Sequence, residues 1–140
     1  MKPSTRLFKL ADYCEKLGSD RFSFSEWISE DDGKCGTVCC LLGHAPGAFA
    51  KDPKWKKAWY VAYLEDKTSY VELDTDRLQR LFLEEGMTPE ELHCAFIWHL
   101  QEQFWAQKGE EAENLTIEST LEEALANLRK LAEYIKSTGR

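Results

Sequence analysis

Chain-breaking residues are scarce in this sequence: eight glycines and four prolines among 140 residues. With five tryptophans, five tyrosines and seven phenylalanines, the chain is neither a disordered nor a fibrous or low-complexity polymer. It has no apolar run near the roughly 18 residues that a membrane span requires, and its first ten residues lack a secretory h-region. Neither a membrane nor an export route is therefore expected, and the cytoplasm is the expected compartment. The five cysteines are an odd number without an export signal, so no disulfide framework is expected. What remains is a chain of domain size, able to bury about two-thirds of its unfolded surface without a metal or disulfide staple. A single domain over residues 1–140 is expected.

Lysine and arginine are also in short supply, 18 against 25 aspartates and glutamates, for a formal charge of −7. The deficit is local. Residues 1–70 hold 11 basic and 10 acidic side chains, whereas residues 71–140 hold 7 and 15, so the acidity belongs almost wholly to the second half. Binding a nucleic-acid backbone requires Lys and Arg to replace condensed counterions, so no nucleic-acid partner is expected. From Asp74 to Glu102 seven acids stand against Arg77 and Arg80, which argues against a DNA-binding helix-turn-helix there. The small basic cluster of Lys51, Lys54, Lys56 and Lys57 around Trp55 reads as a solvated helix start.

Hydrophobic spacing predicts a mainly α fold, with α+β as the alternative: a compact helical domain of about five helices with one or two short strands. Leu7, Leu10, Ala11, Cys14 and Leu17 recur at three and four, which predicts a first helix capped by Ser4 or Thr5 and stopped by Gly18. A compact helix over residues 36–44 should end at Pro46-Gly47. Residues 51–64 are aromatic and amphipathic, helical or irregular, and Ser69 to Leu73 alternates as a strand does. Asp74 or Thr75 opens a further helix that Gly86 closes. Thr88-Pro89-Glu90-Glu91 is a capping-box start, and the apolar run to about Gln107 predicts one central buried helix. An acidic connector leads to a last helix from Ser119 or Thr120, with Leu121, Leu125, Leu128, Ala132 and Ile135 along one stripe.

The segment from Asp31 to Pro46 is where chemistry could concentrate. If residues 36–44 are helical, Cys40 and His44 stand four apart on one face. Cys35 then sits at the helix N-terminus, where free N–H groups and the dipole lower a thiol's pKa. This supports an alternative reading as a small enzyme or a ligand- or metal-binding domain using Cys35, Cys40 and His44. The spacing matches no common zinc framework. The packing reading is a helix whose small Gly36, Cys39, Cys40 and Gly43 let a neighbour approach, with His44 hydrogen-bonded at its end. A catalytic thiol would need a base, and the three histidines are His44, His93 and His99. His93 and His99 fall on the helix predicted to be buried, as satisfied core histidines. No cofactor is expected.

Around Cys35-Gly36-Thr37-Val38-Cys39-Cys40-Leu41-Leu42-Gly43-His44-Ala45 the chain resembles a group of small uncharacterised bacterial and phage proteins that carry a C-G-T-x-x-C-x-x-G-[HW]-A segment. The order around it is similar: a first helix with Leu10-Ala11-Asp12, then Arg21-Phe22 and Trp27, then the motif and two later helices. Cys39 departs from the small residue, often alanine, expected at its position. The resemblance implies a prokaryotic or phage origin and a packed helical motif around Cys35, Cys40 and His44.

The leading functional reading is a non-enzymatic protein-binding module, a phage or mobile-element protein that inhibits or modulates a host or defence protein through an acidic surface. Glu110, Glu111 and Glu113 in the connector, with Trp55 and Trp59 as aromatic anchors, are its expected binding residues. A homo-oligomeric structural protein is a further reading, which mass measurement in solution would decide.

Overall fold

The computed structural model describes residues 1–19, 41–63, 65–66, 69–116 and 118–140; of residues 59–63 and 69–73 it describes the backbone alone. Helix α1, Pro3–Leu17, buries Leu7, Leu10, Ala11 and Cys14. It starts at a proline, whose missing N–H costs nothing in the first turn, and Gly18 ends it with φ +82°. Ser4 and Thr5 were expected to cap this helix but lie within it. Ser4 instead donates its hydroxyl to the Arg140 carbonyl at 2.6 Å, a tertiary contact that no local pattern encodes.

A 3-10 turn, Leu42–His44, runs directly into α2, Ala45–Ala48. The expected stop at Pro46-Gly47 is overturned: both residues are helical, because a proline in the first turn forfeits no hydrogen bond. A Cβ on Gly47 would lie 2.6 Å from the Tyr13 hydroxyl oxygen, so the glycine permits the close approach of α1. The expected helix over residues 36–44 otherwise lies outside the described residues up to residue 40. Asp52 then caps α3, Pro53–Lys56, by accepting the Lys54 N–H at 3.0 Å. The backbones of β1, Trp59–Tyr63, and β2, Ser69–Leu73, pair antiparallel with Val61 opposite Val71.

Asp74 caps α4, Thr75–Glu84, by accepting the Arg77 N–H at 3.0 Å. The capping box at Thr88 and Glu91 opens α5, Pro89–Phe96, as the sequence predicts. The single helix expected to follow is instead two, α5 and then α6, Gln101–Gln107, separated by Ile97 to Leu100. A second capping box, Thr120 with Glu123, opens α7, Leu121–Ser137. The fold is thus mainly helical, with seven α-helices among the described residues in place of about five. The count rises because α2 and α3 are single turns and one long helix is interrupted.

The core is built on α1 and α7, which run antiparallel. The Ser4–Arg140 contact joins the start of α1 to the residue just beyond α7, and Arg129 reaches Asp12 at 3.1 Å and Glu15 at 2.8 Å further along. All five residues of the predicted α7 stripe are buried, and α7 packs on α1 and on α5. Beside them Arg6 is only 3% exposed. Its guanidinium forms a two-pronged pair with Glu85, one prong at 2.7 Å, and lies 4.6 Å from the centroids of both Phe49 and Trp55. Edge contacts carry the aromatic packing from Phe49 to Trp55 at 5.0 Å and on to Phe82 at 4.7 Å. No helix among the described residues is long and apolar enough to cross a membrane.

Arg140 closes the far end. Its guanidinium meets the Glu91 carboxylate at 2.8 and 2.7 Å and also donates to the Gly86 carbonyl at 2.9 Å. Burial alone would raise the Glu91 pKa, but hydrogen bonds from Arg140 and the Thr88 N–H, with the charge of Arg140, hold it below its ordinary 4.5. A depressed acid stabilises the folded state fully above its ordinary pKa, and that contribution disappears as the pH falls through the folded value. Arg140→Gln should therefore cost about 1–3 kcal/mol at neutral pH. In denaturant titrations the gap from the parent should narrow below about pH 4.5. Leu128→Ala, at the centre of the buried stripe, should cost about 2–5 kcal/mol in the same measurement, and a cost under about 0.5 kcal/mol would refute its placement.

Candidate functional site

The interruption between α5 and α6 places Ile97 and Trp98 at the surface. Phe96-Ile97-Trp98 is a run of aromatic and β-branched residues with modest helix preference. Ile97 turns to extended backbone, φ −114° and ψ 128°, and His99 takes φ +70°, the left-handed region that non-glycine residues rarely enter. An interrupted helix leaves carbonyls without partners, and buried carbonyls must find others. Gln101 supplies them: its side-chain amide donates to the Cys94 carbonyl at 3.0 Å and also to that of Ile97. Asn127 of α7 donates to the same Cys94 carbonyl at 2.8 Å and accepts the Trp105 indole N–H at 3.2 Å.

The same glutamine anchors the acidic connector. Its side-chain oxygen accepts the Leu115 N–H at 2.9 Å, and the Leu115 carbonyl accepts the His99 N–H at 3.0 Å. One residue earlier, the Asn114 side chain accepts the Glu102 N–H at 2.8 Å, capping α6 from across the chain. A segment without regular structure is thereby fixed against the turn and the start of α6. Helix α6 and the connector form an open groove lined by Glu102, Glu110, Glu111 and Glu113, with Ala106 and Ala112 between them. Lys130 borders it, 3.5 Å from the Glu110 carboxylate and 4.3 Å over the Trp105 ring.

The structure brings Glu110, Glu111 and Glu113 together at this groove and adds Glu102, which sequence reasoning placed in the middle of a buried helix. The sequence offered only a weak signal for the break, the aromatic and β-branched run Phe96-Ile97-Trp98 with its modest helix preference. Trp55, expected as a surface anchor, is 1% exposed in the core, because it closes over Arg6 and Phe82. Trp59 has its backbone in β1, and its side chain lies outside the described residues. His93 and His99, expected in the core, are exposed, His93 on the outer face of α5 and His99 in the turn that interrupts the helix.

For the thiol or metal alternative, Cys35 and Cys40 lie outside the described residues, and His44 is buried in the 3-10 turn. Among the described residues no group of three or more His, Cys, Asp or Glu could hold a metal ion. Burial pushes the Cys94 thiol up to about 12, against the smaller opposing effect of its contact with Asn127. A thiol so raised is not a nucleophile near neutral pH. The groove offers clustered negative charge for cationic groups rather than a nucleophile set beside a base.

Compared with protein-family models, curated proteins and solved structures, the chain finds no match in any of the three.

Gln101→Leu keeps the side-chain size but removes the partners of the Leu115 N–H and the Ile97 carbonyl. It should cost about 2–4 kcal/mol, because each buried group left unpaired costs about 1–3. Amide exchange should speed up at His99 and Leu115 before it does in α1 and α7, and uniform protection would count against the anchoring role.

Proposed function

We propose that this protein is a non-enzymatic, protein-binding module of phage or mobile-element origin, acting in the cytoplasm to inhibit or modulate a host or defence protein through its acidic face. One observation carries the reading. A buried hydrogen bond from the Leu115 N–H to the Gln101 side chain holds in place a connector whose acidic side chains are exposed, and an ordered loop with exposed charge is typical of a recognition surface. Residues 97–118 carry five acidic side chains and one basic, a local field that would steer a basic partner and speed its association. The origin rests on the resemblance around Cys35 to Ala45, and the choice of a protein target on the acidity of the second half and the tryptophans.

The test is affinity capture from a bacterial host lysate with the parent chain and two variants. A specific partner should be lost, or weakened by about tenfold, with Glu110→Gln/Glu111→Gln/Glu113→Gln, and more weakly bound as salt is raised. It should be retained with Lys54→Gln/Lys56→Gln. The reverse pattern would move the site to the basic cluster, and no specific partner for the parent chain would count against the reading.

A further inference from the structure

Among the described residues four large apolar side chains are exposed, Met1, Leu83, Ile97 and Trp98, and two of the four are consecutive. Ile97 is 37% and Trp98 39% exposed, on the turn that interrupts the helix. The turn is not slack. Gln101 holds the Ile97 carbonyl, the His99 N–H is bound to Leu115 at 3.0 Å, and the Trp98 ring lies 4.2 Å from that of His99. An apolar pair displayed on a fixed backbone loses little freedom on binding, and tryptophan is among the residues that most often dominate an interface.

Charge states what kind of partner fits. The turn is joined through Leu115 and Asn114 to the groove that carries Glu102, Glu110, Glu111 and Glu113. An acidic partner would be repelled there, and a purely apolar one would leave carboxylates desolvated without counter-charge. The molecule already pairs these chemistries once within itself: the Lys130 ammonium sits over the Trp105 indole and beside the Glu110 carboxylate. Indole and carboxylate together favour a cation on a long apolar stem.

We infer that the Ile97–Trp98 turn is the anchor for a cationic, apolar-bearing segment of a partner protein. An apolar side chain of that segment would rest on Trp98, and its lysines or arginines would lie toward the four glutamates. The inference rests on the acidic-face reading above and adds to it the hot spot and the chemistry of the partner.

A random twelve-residue peptide display library, selected on the immobilised full chain near physiological salt, tests it. Enriched peptides should combine two or more Lys or Arg with a Leu, Ile or aromatic residue. Their affinity should fall by about tenfold or more in Trp98→Ala, fall in Ile97→Ser, and be retained in Trp98→Phe. Circular dichroism should show the parent fold in each, since both side chains are exposed. Cationic peptides without an apolar residue, indifferent to Trp98→Ala but lost in Glu110→Gln/Glu111→Gln/Glu113→Gln, would overturn the anchor and leave the acidic face standing. Acidic or neutral peptides, indifferent to both sets, would overturn both. A library that enriches nothing overturns the anchor, while the capture experiment still decides the acidic face.

Discussion

A buried carbonyl must be hydrogen-bonded, and the break between α5 and α6 is stable because two amide side chains meet that demand. Gln101 and Asn127 converge on the Cys94 carbonyl in place of the N–H groups a continuous helix would have supplied. Everything at the candidate site follows from this exchange. The turn can project Ile97 and Trp98 outward, α6 can begin afresh with Glu102 near its start, and the connector can be sewn to both by the other end of the Gln101 side chain.

The exchange also ties the surface to the core. Asn127 belongs to α7, which meets α1 along its buried stripe and through Arg129. Just beyond its end, Arg140 reaches Glu91 in the first turn of α5. Helix α5 is thus held near both of its ends, at Glu91 by Arg140 and at the Cys94 carbonyl by Asn127 of α7. A partner that engaged the turn would therefore meet a surface already fixed by the fold, with little ordering left to do on binding. Arg6 is treated in the same way: its buried charge is met by the Glu85 carboxylate and by the faces of Phe49 and Trp55.

Local signals carried much of the fold. The capping box at Thr88, the α7 stripe and the α1 face were all legible, and the start of α7 was legible to within one residue, because each depends on residues three or four apart. The acidic run of the connector was legible as composition. Its assembly with Glu102 was not, because that requires Asn114 and Leu115 to fold back over twelve or more residues. Trp55 was misplaced for a similar reason: its lysine neighbours suggest the surface, whereas its burial depends on Arg6, Phe49 and Phe82 from three other parts of the chain.

By itself, then, the sequence determined the mainly helical class, the starts of α4, α5 and α7, the apolar stripes and the acidity of the second half, since all of these are properties of neighbouring residues. Tertiary structure decided that one apparent helix is two, that a serine expected to cap serves a distant carbonyl, and that Trp98 is exposed while Trp55 is buried. Each of those outcomes turns on which buried polar group finds a partner, and the partners come from elements far apart in the chain.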